Sequence, residues 1–147
     1  MYERSFHVGW GHLDSNGHMA NTAYLDLAVD IRMMFFKEHG FPVAEFVRRG
    51  LGPVIKTDTI EYFRELRLLD TVRVTHEVAA MAENGSRFRL RNVFYREDGE
   101  MAARLLTEGG WLDLGERRLI APPADLLEVF RKVPRADDFE RLTPSVG

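Results

Sequence analysis

The sequence predicts an α+β domain in which an antiparallel sheet packs on one long helix. Three observations carry that expectation. A strongly periodic helical stretch lies near the N-terminus, alternating segments follow it, and Asn84-Gly85 and Asp98-Gly99 stand between those segments as hairpin signals.

A first strand is expected over residues 2–10, where Tyr2, Phe6, Val8 and Trp10 set an apolar face at even positions. The helix is expected from Asn21 to His39. Tyr24, Leu27, Ala28, Ile31, Met34 and Phe35 fall on one stripe, and Asp26, Asp30 and Lys37 lie largely off it. Gly40 suits a left-handed stop, and Pro42 blocks continuation. Residues 43–50 read as a short helical turn closing on Gly50. A second strand, from Val54 to Leu66, has a mixed period that fits either a bulge or cover on both faces.

Residues 71–81 alternate cleanly, with Val72, Val74, His76 and Val78 on one face, and here His76 reads as a hydrogen-bonded buried histidine. Residues 86–96 set Arg87, Arg89 and Arg91 against Phe88 and Leu90. Residues 100–114 form the last expected strand, with Gly109-Gly110 marking a bulge or a close approach of another backbone. Pro122-Pro123 can start a short helix near 123–132, and the tail 134–147, poor in apolar residues, is expected to be loosely ordered.

The chain of 147 residues fits a single domain over 1–147. It contains no cysteine, which removes disulfides, thiolate nucleophiles and thiolate metal sites. A formal charge of −3 gives no reason to expect nucleic acid, no apolar run suffices for membrane insertion, and the N-terminus lacks a signal-peptide layout, so a cytoplasmic protein is expected. One helix covers one face of a sheet, so a second copy is expected on the other.

Chemistry concentrates in the loop His12-Leu13-Asp14-Ser15-Asn16-Gly17-His18-Met19-Ala20-Asn21-Thr22-Ala23-Tyr24, which feeds the helix. A helix N-terminus presents unpaired N–H groups and the positive end of the dipole to developing negative charge. Asp14 can act as nucleophile or general base there, or it can simply form an Asx-turn. His12 and His18 can tune Asp14, touch a substrate, or hydrogen-bond within the loop. No flanking ligands support a metal, and none is expected.

The pattern Val8-x-Trp10-x-His12-Leu13-Asp14-x-x-x-His18-Met19-x-Asn21-x-x-Tyr24-Leu25, running on to Arg32, resembles the hot-dog-fold acyl-CoA thioesterases, in particular the branch of 4-hydroxybenzoyl-CoA thioesterase. The similarity continues through Ile60-Glu61-Tyr62, Leu69-Asp70-Thr71-Val72, Trp111-Leu112, Arg117-Arg118 and Pro122, covering residues 5–130. It departs from many relatives at His12, where they carry another aspartate, and at Asn16-Gly17-His18, where they are apolar.

The resemblance implies a sheet of about five strands wrapped around one helix, and a homodimer or dimer of dimers with sites at the subunit interface. It implies an acyl-CoA substrate, with coenzyme A entering only as part of it and no other cofactor. Asp14 would carry hydrolysis and the backbone N–H near Asn21 would polarise the carbonyl, with His18 as a further catalytic candidate. Candidate substrate contacts are His12, Gly17, Tyr24, Glu61 and Tyr62, with Arg89 and Arg118 for phosphates. The rival reading of another class is a non-catalytic acyl-CoA-binding or regulatory hot-dog dimer. A rival within the fold is a hydratase or dehydratase acting on acyl thioesters, which usually pairs a histidine with a carboxylate for proton abstraction and which the context of Asp14 fits poorly.

Overall fold

The computed structural model describes residues 1–147. In chain order the elements are β1 (Tyr2–His7), a single 3-10 turn (Trp10–His12), α1 (Asn21–Glu38), α2 (Val43–Arg49), β2 (Leu51–Tyr62), β3 (Thr71–Ala82), β4 (Arg87–Tyr95), β5 (Met101–Asp113), β6 (Arg118–Ile120), α3 (Ala124–Phe130) and β7 (Arg135–Leu142). The sheet runs β1-β3-β4-β5-β2, antiparallel throughout, with β6 added antiparallel to β5 and β7 added parallel to β3. It curls around α1, the hot-dog arrangement that the resemblance implies. No helix is long and apolar enough to cross a membrane.

α1 buries Ala23, Tyr24, Leu27, Ala28, Ile31, Arg32, Phe35 and Phe36. Its first half packs with Val8, Val72, Val74, Phe94 and Leu105, and its second half enters an aromatic cluster with Phe46, Phe88, Trp111 and Phe130. Gly40, at φ 85°, supplies the left-handed stop. Inside this core, Arg32 donates to Asn92 Oδ1 (2.8 and 3.1 Å) and to Thr107 Oγ1 (2.7 Å), and Thr107 donates to Asp58 on β2 (2.5 Å). Burial pushes the Arg32 guanidinium down to about 10, while Asp58 opposes the shift.

Several boundaries differ from expectation. β1 ends at His7, and Trp10 sits in the turn, 81% exposed, instead of on a strand face. The chain turns there because the Gly9 N–H is taken by His12 Nδ1 (3.0 Å) and Val8 pairs with Leu69 and Asp70. β2 begins three residues earlier than expected and accommodates Pro53, because it is an edge strand whose outer N–H groups need no partner. Its mixed period reflects a register shift between Ile55 and Thr57.

Seven strands replace the expected five. β6 forms because a tight turn at 114–117, tied by the Gly115 and Glu116 N–H groups to Asp113 Oδ1, folds the chain back on β5. The tail after Pro134 is not loose: β7 docks on β3, Asp138 pairs with Arg91, and Asn84 and Ser86 hold Val146 and Ser145. Its partners, the backbone of β3 and polar groups on β4 and in the turn between the two strands, lie far away in sequence, so the apolar content of the tail did not reveal them.

Gly109 marks a close backbone approach. A Cβ there would lie 2.2 Å from the Val54 carbonyl oxygen, and one at Gly110 would lie 2.9 Å from that of Ser86. Gly109→Ala is expected to cost about 2–3 kcal/mol by overpacking, read from urea unfolding, because backbone cannot yield as a flexible side chain does.

His76, 1% exposed, is hydrogen-bonded to Asn92 (3.2 Å); burial, aided by the Arg32 charge, pushes it down to about 3. The unfolded chain binds this proton near the ordinary 6.5 while the folded chain does not until about 3, so stability is lost as pH falls through that window. His76→Gln is expected to show a shallower loss of stability between pH 7 and 4, measured by urea midpoints.

Candidate active site

The loop before α1 is ordered by its own backbone. Asp14 N–H donates to the His18 carbonyl (2.8 Å) and Gly17 N–H to the Asp14 carbonyl (3.1 Å), a turn that Gly17 permits at φ 76°. Leu13 bridges Met19 and His18 bridges Arg67, while Met19 N–H donates to Leu66 (2.7 Å), so the loop is stitched to the β2–β3 connection.

Asp14 Oδ1 accepts the N–H groups of Asn16 (2.8 Å) and His18 (3.1 Å). The Asx-turn is therefore real. It engages one carboxylate oxygen, and Oδ2 has no hydrogen-bond partner in the protein.

α1 begins directly after this turn, and its N-cap is Ala20. Asn21 is the first helical residue, and no side chain caps the helix. Alanine has no side-chain acceptor, the Ala20 carbonyl receives the Ala23 N–H (3.0 Å), and the amides of Asn21 and Thr22 have no acceptor in the protein; both residues are exposed. Free donors and the helix dipole thus meet at one point.

Asp14, His18, Asn21, Tyr24, Tyr62 and Glu65 line one open cavity of about 420 Å³, together with Met19, Phe63 and Arg64. The Tyr24 ring is buried and lies edge-on to Tyr62 (5.3 Å) and Phe94 (5.2 Å). Burial, with smaller contributions from Tyr62 and Asp14, pushes its phenol up to about 12. His18 Nε2 lies 2.8 Å from Glu65 Oε2, and Arg67 donates to Glu65 Oε1 (2.7 Å). The Arg67 hydrogen bond, assisted by the His18 charge, holds the Glu65 carboxyl below its ordinary range against partial desolvation.

The remaining candidates lie elsewhere. His12 closes the 3-10 turn through Gly9, and Gly17 forms the tip of the loop turn. Glu61 pairs with Arg104 (2.6 Å), Arg89 with Glu108 (2.8 Å), and Arg118 with Glu116 (2.8 Å). Glu65 was missed by sequence reasoning: in the run Arg64-Glu65-Leu66-Arg67 it reads as solvated surface, and only the pairing of the two loops brings it to His18. No group of three His, Cys, Asp or Glu side chains is arranged to hold a metal ion.

A family model, the thioesterase-like superfamily, matches residues 8–130. Among solved structures, a hypothetical protein of Staphylococcus aureus in complex with CoA superposes with a TM-score of 0.78 at 21% identity, covering 92% of this chain and 87% of that one. A 1,4-dihydroxy-2-naphthoyl-CoA thioesterase from Synechocystis gives 0.79 at 14% identity, covering 89% and 96%. A probable thioesterase from Escherichia coli gives 0.71 at 21%, covering 92% and 100%. These likenesses establish a shared fold. No curated protein matches the chain in sequence.

The Tyr24 phenol offers a direct check on the cavity wall. The tyrosinate absorbance lost in Tyr24→Phe is expected to titrate near pH 12 instead of the ordinary 10. The stability linked to that phenol is present below pH 10.0 and is lost as pH rises towards 12, since the folded state holds the proton longer.

Proposed function

The chain belongs to the thioesterase-like superfamily, and from that premise we propose that it hydrolyses an acyl-CoA thioester to the free acid and coenzyme A. The observation that carries this reading is the placing of the Asp14 carboxylate, with one oxygen free, in the same cavity as the uncapped start of α1.

Asp14 either removes a proton from water attacking the acyl carbon or attacks that carbon itself to give a mixed anhydride. The Asn21 amide, with that of Thr22 beside it, receives the oxyanion, an effect that can be worth about 3–4 kcal/mol per donor. Tyr24 and Tyr62 form an aromatic wall against which the acyl group packs. Negative charge develops on the carbonyl oxygen only as the bond order changes, so donors held open in the resting protein stabilise the transition state more than the substrate.

The working unit in this reading is a homodimer, alone or paired into a dimer of dimers. β2 supports it: this edge strand runs twelve residues, carries Ile55 and Tyr62 42% and 49% exposed, and pairs with β5 on one side only. Such an edge is a template for pairing with another strand, and Tyr62 would carry that interface to the cavity. The coenzyme A phosphates would lie beyond the cavity, on cations such as Arg89 and Arg118.

Free thiol released from a panel of short, long and aromatic acyl-CoA substrates tests the activity and excludes a purely binding protein if turnover occurs. Asp14→Asn is expected to lower kcat about a thousandfold while circular dichroism stays unchanged. Turnover retained in that variant would remove Asp14 from the chemistry.

A further inference from the structure

His18 and Glu65 form a pair within the cavity. Glu65 is oriented on both oxygens, Oε1 by Arg67 and Oε2 by His18 Nε2. Its backbone neighbours are equally fixed. Arg67 bridges His18, its N–H donates to Asp70 Oδ2 (2.8 Å), and the Leu66 carbonyl receives the Met19 N–H. His18 Nδ1 has no hydrogen-bond partner in the protein, and the side chain is 33% exposed. The ring therefore has one nitrogen committed to a carboxylate and one open, in the cavity that holds Asp14.

We propose that the Glu65–His18 pair delivers a proton to the leaving sulfur, with Glu65 as the positioning residue and His18 Nδ1 as the donor. The inference rests on the thioesterase reading. A carboxylate beside one ring nitrogen keeps a proton there, so the second proton of the imidazolium, the one that exchanges, resides on the other nitrogen.

The electron count is complete without any further reagent. Water adds its oxygen to the acyl carbon and yields one proton to Asp14. As the carbon–sulfur bond breaks, its electron pair moves to sulfur, which takes the Nδ1 proton of the imidazolium. The proton on Asp14 then returns to His18 through solvent, leaving acid and thiol. If Asp14 attacks the carbon directly, the sulfur has the same requirement.

The demand for that proton depends on how basic the departing thiolate is. An acyl-CoA releases an alkyl thiolate, which benefits from protonation, whereas the S-(4-nitrophenyl) thioester of the same acyl group releases a weakly basic aryl thiolate that departs without it. Glu65→Gln is expected to lower kcat on the acyl-CoA about tenfold to a hundredfold and on the aryl thioester less than about twofold, with Glu65→Asp restoring part of the loss on acyl-CoA. Glu65 is half-exposed at the surface, so the substitution leaves the core intact. Equal losses on both thioesters, or no loss on either, would overturn the pair's role while the Asp14-dependent activity stands. Absence of thiol release by the unsubstituted protein from every acyl-CoA would overturn the function and this inference together.

Discussion

Enclosure of α1 by the sheet is the constraint on which the rest of the molecule depends, and Arg32 makes that enclosure specific. An apolar stripe alone tolerates sliding or rotation, because hydrophobic contact is non-directional. A buried guanidinium does not. Arg32 reaches Asn92 on β4 and Thr107 on β5, and Thr107 reaches on to Asp58 on β2. A slip of one residue along the axis, about 1.5 Å, would break these bonds and leave a desolvated charge unpaired, a loss of several kcal/mol. Helix and strands are thus held in one register by a single cation that ties α1 to successive strands.

That register sets the position of the helix start, and so the site. α1 can project its N-terminus towards one end of the sheet only because its other residues are packed inside. The loop carrying Asp14 is then secured to the β2–β3 connection by the Met19–Leu66 and His18–Arg67 pairings. Ala20 completes the arrangement by what it lacks. Serine or aspartate at this N-cap would satisfy one of the first amides and strengthen the helix by about 1 kcal/mol, and it would also occupy a donor at the mouth of the cavity. The large buried face of α1 makes that local stabilisation dispensable.

Features governed by local chemistry were legible in the sequence. The stripe of α1, the turn at Asn84-Gly85, the stop at Gly40 and the close approach at Gly109 each follow from residue types a few positions apart. The Asp14 loop was visible as a concentration of polar residues against a helix, whereas Tyr24 and Tyr62 came to it only through the family resemblance. Features made by distant pairing were not. β7 is stabilised by β3 and by Arg91 on β4, Trp10 is displaced by the hydrogen bond between Gly9 and His12, and the buried contacts of Arg32 with Asn92 and Thr107 join residues sixty and seventy-five positions apart. Glu65 belongs to the same class: its meaning lies in His18, forty-seven residues away in the chain.

The two readings of Asp14, loop-former and reactive carboxylate, turn out not to compete. A carboxylate has two oxygens and about four acceptor sites. The turn uses Oδ1 for the amides of Asn16 and His18, and those two bonds fix the plane of the group relative to the backbone. A side chain free to rotate would spend most of its time misdirected, whereas the Asx-turn confines Oδ2 to one direction before any substrate arrives. One of the donors, the His18 N–H, belongs to the residue whose ring reaches Glu65, so the same backbone segment carries both groups that line the cavity. The structural role of Asp14 is therefore the source of its orientation, and the proposed chemistry would draw on the oxygen the turn leaves unused.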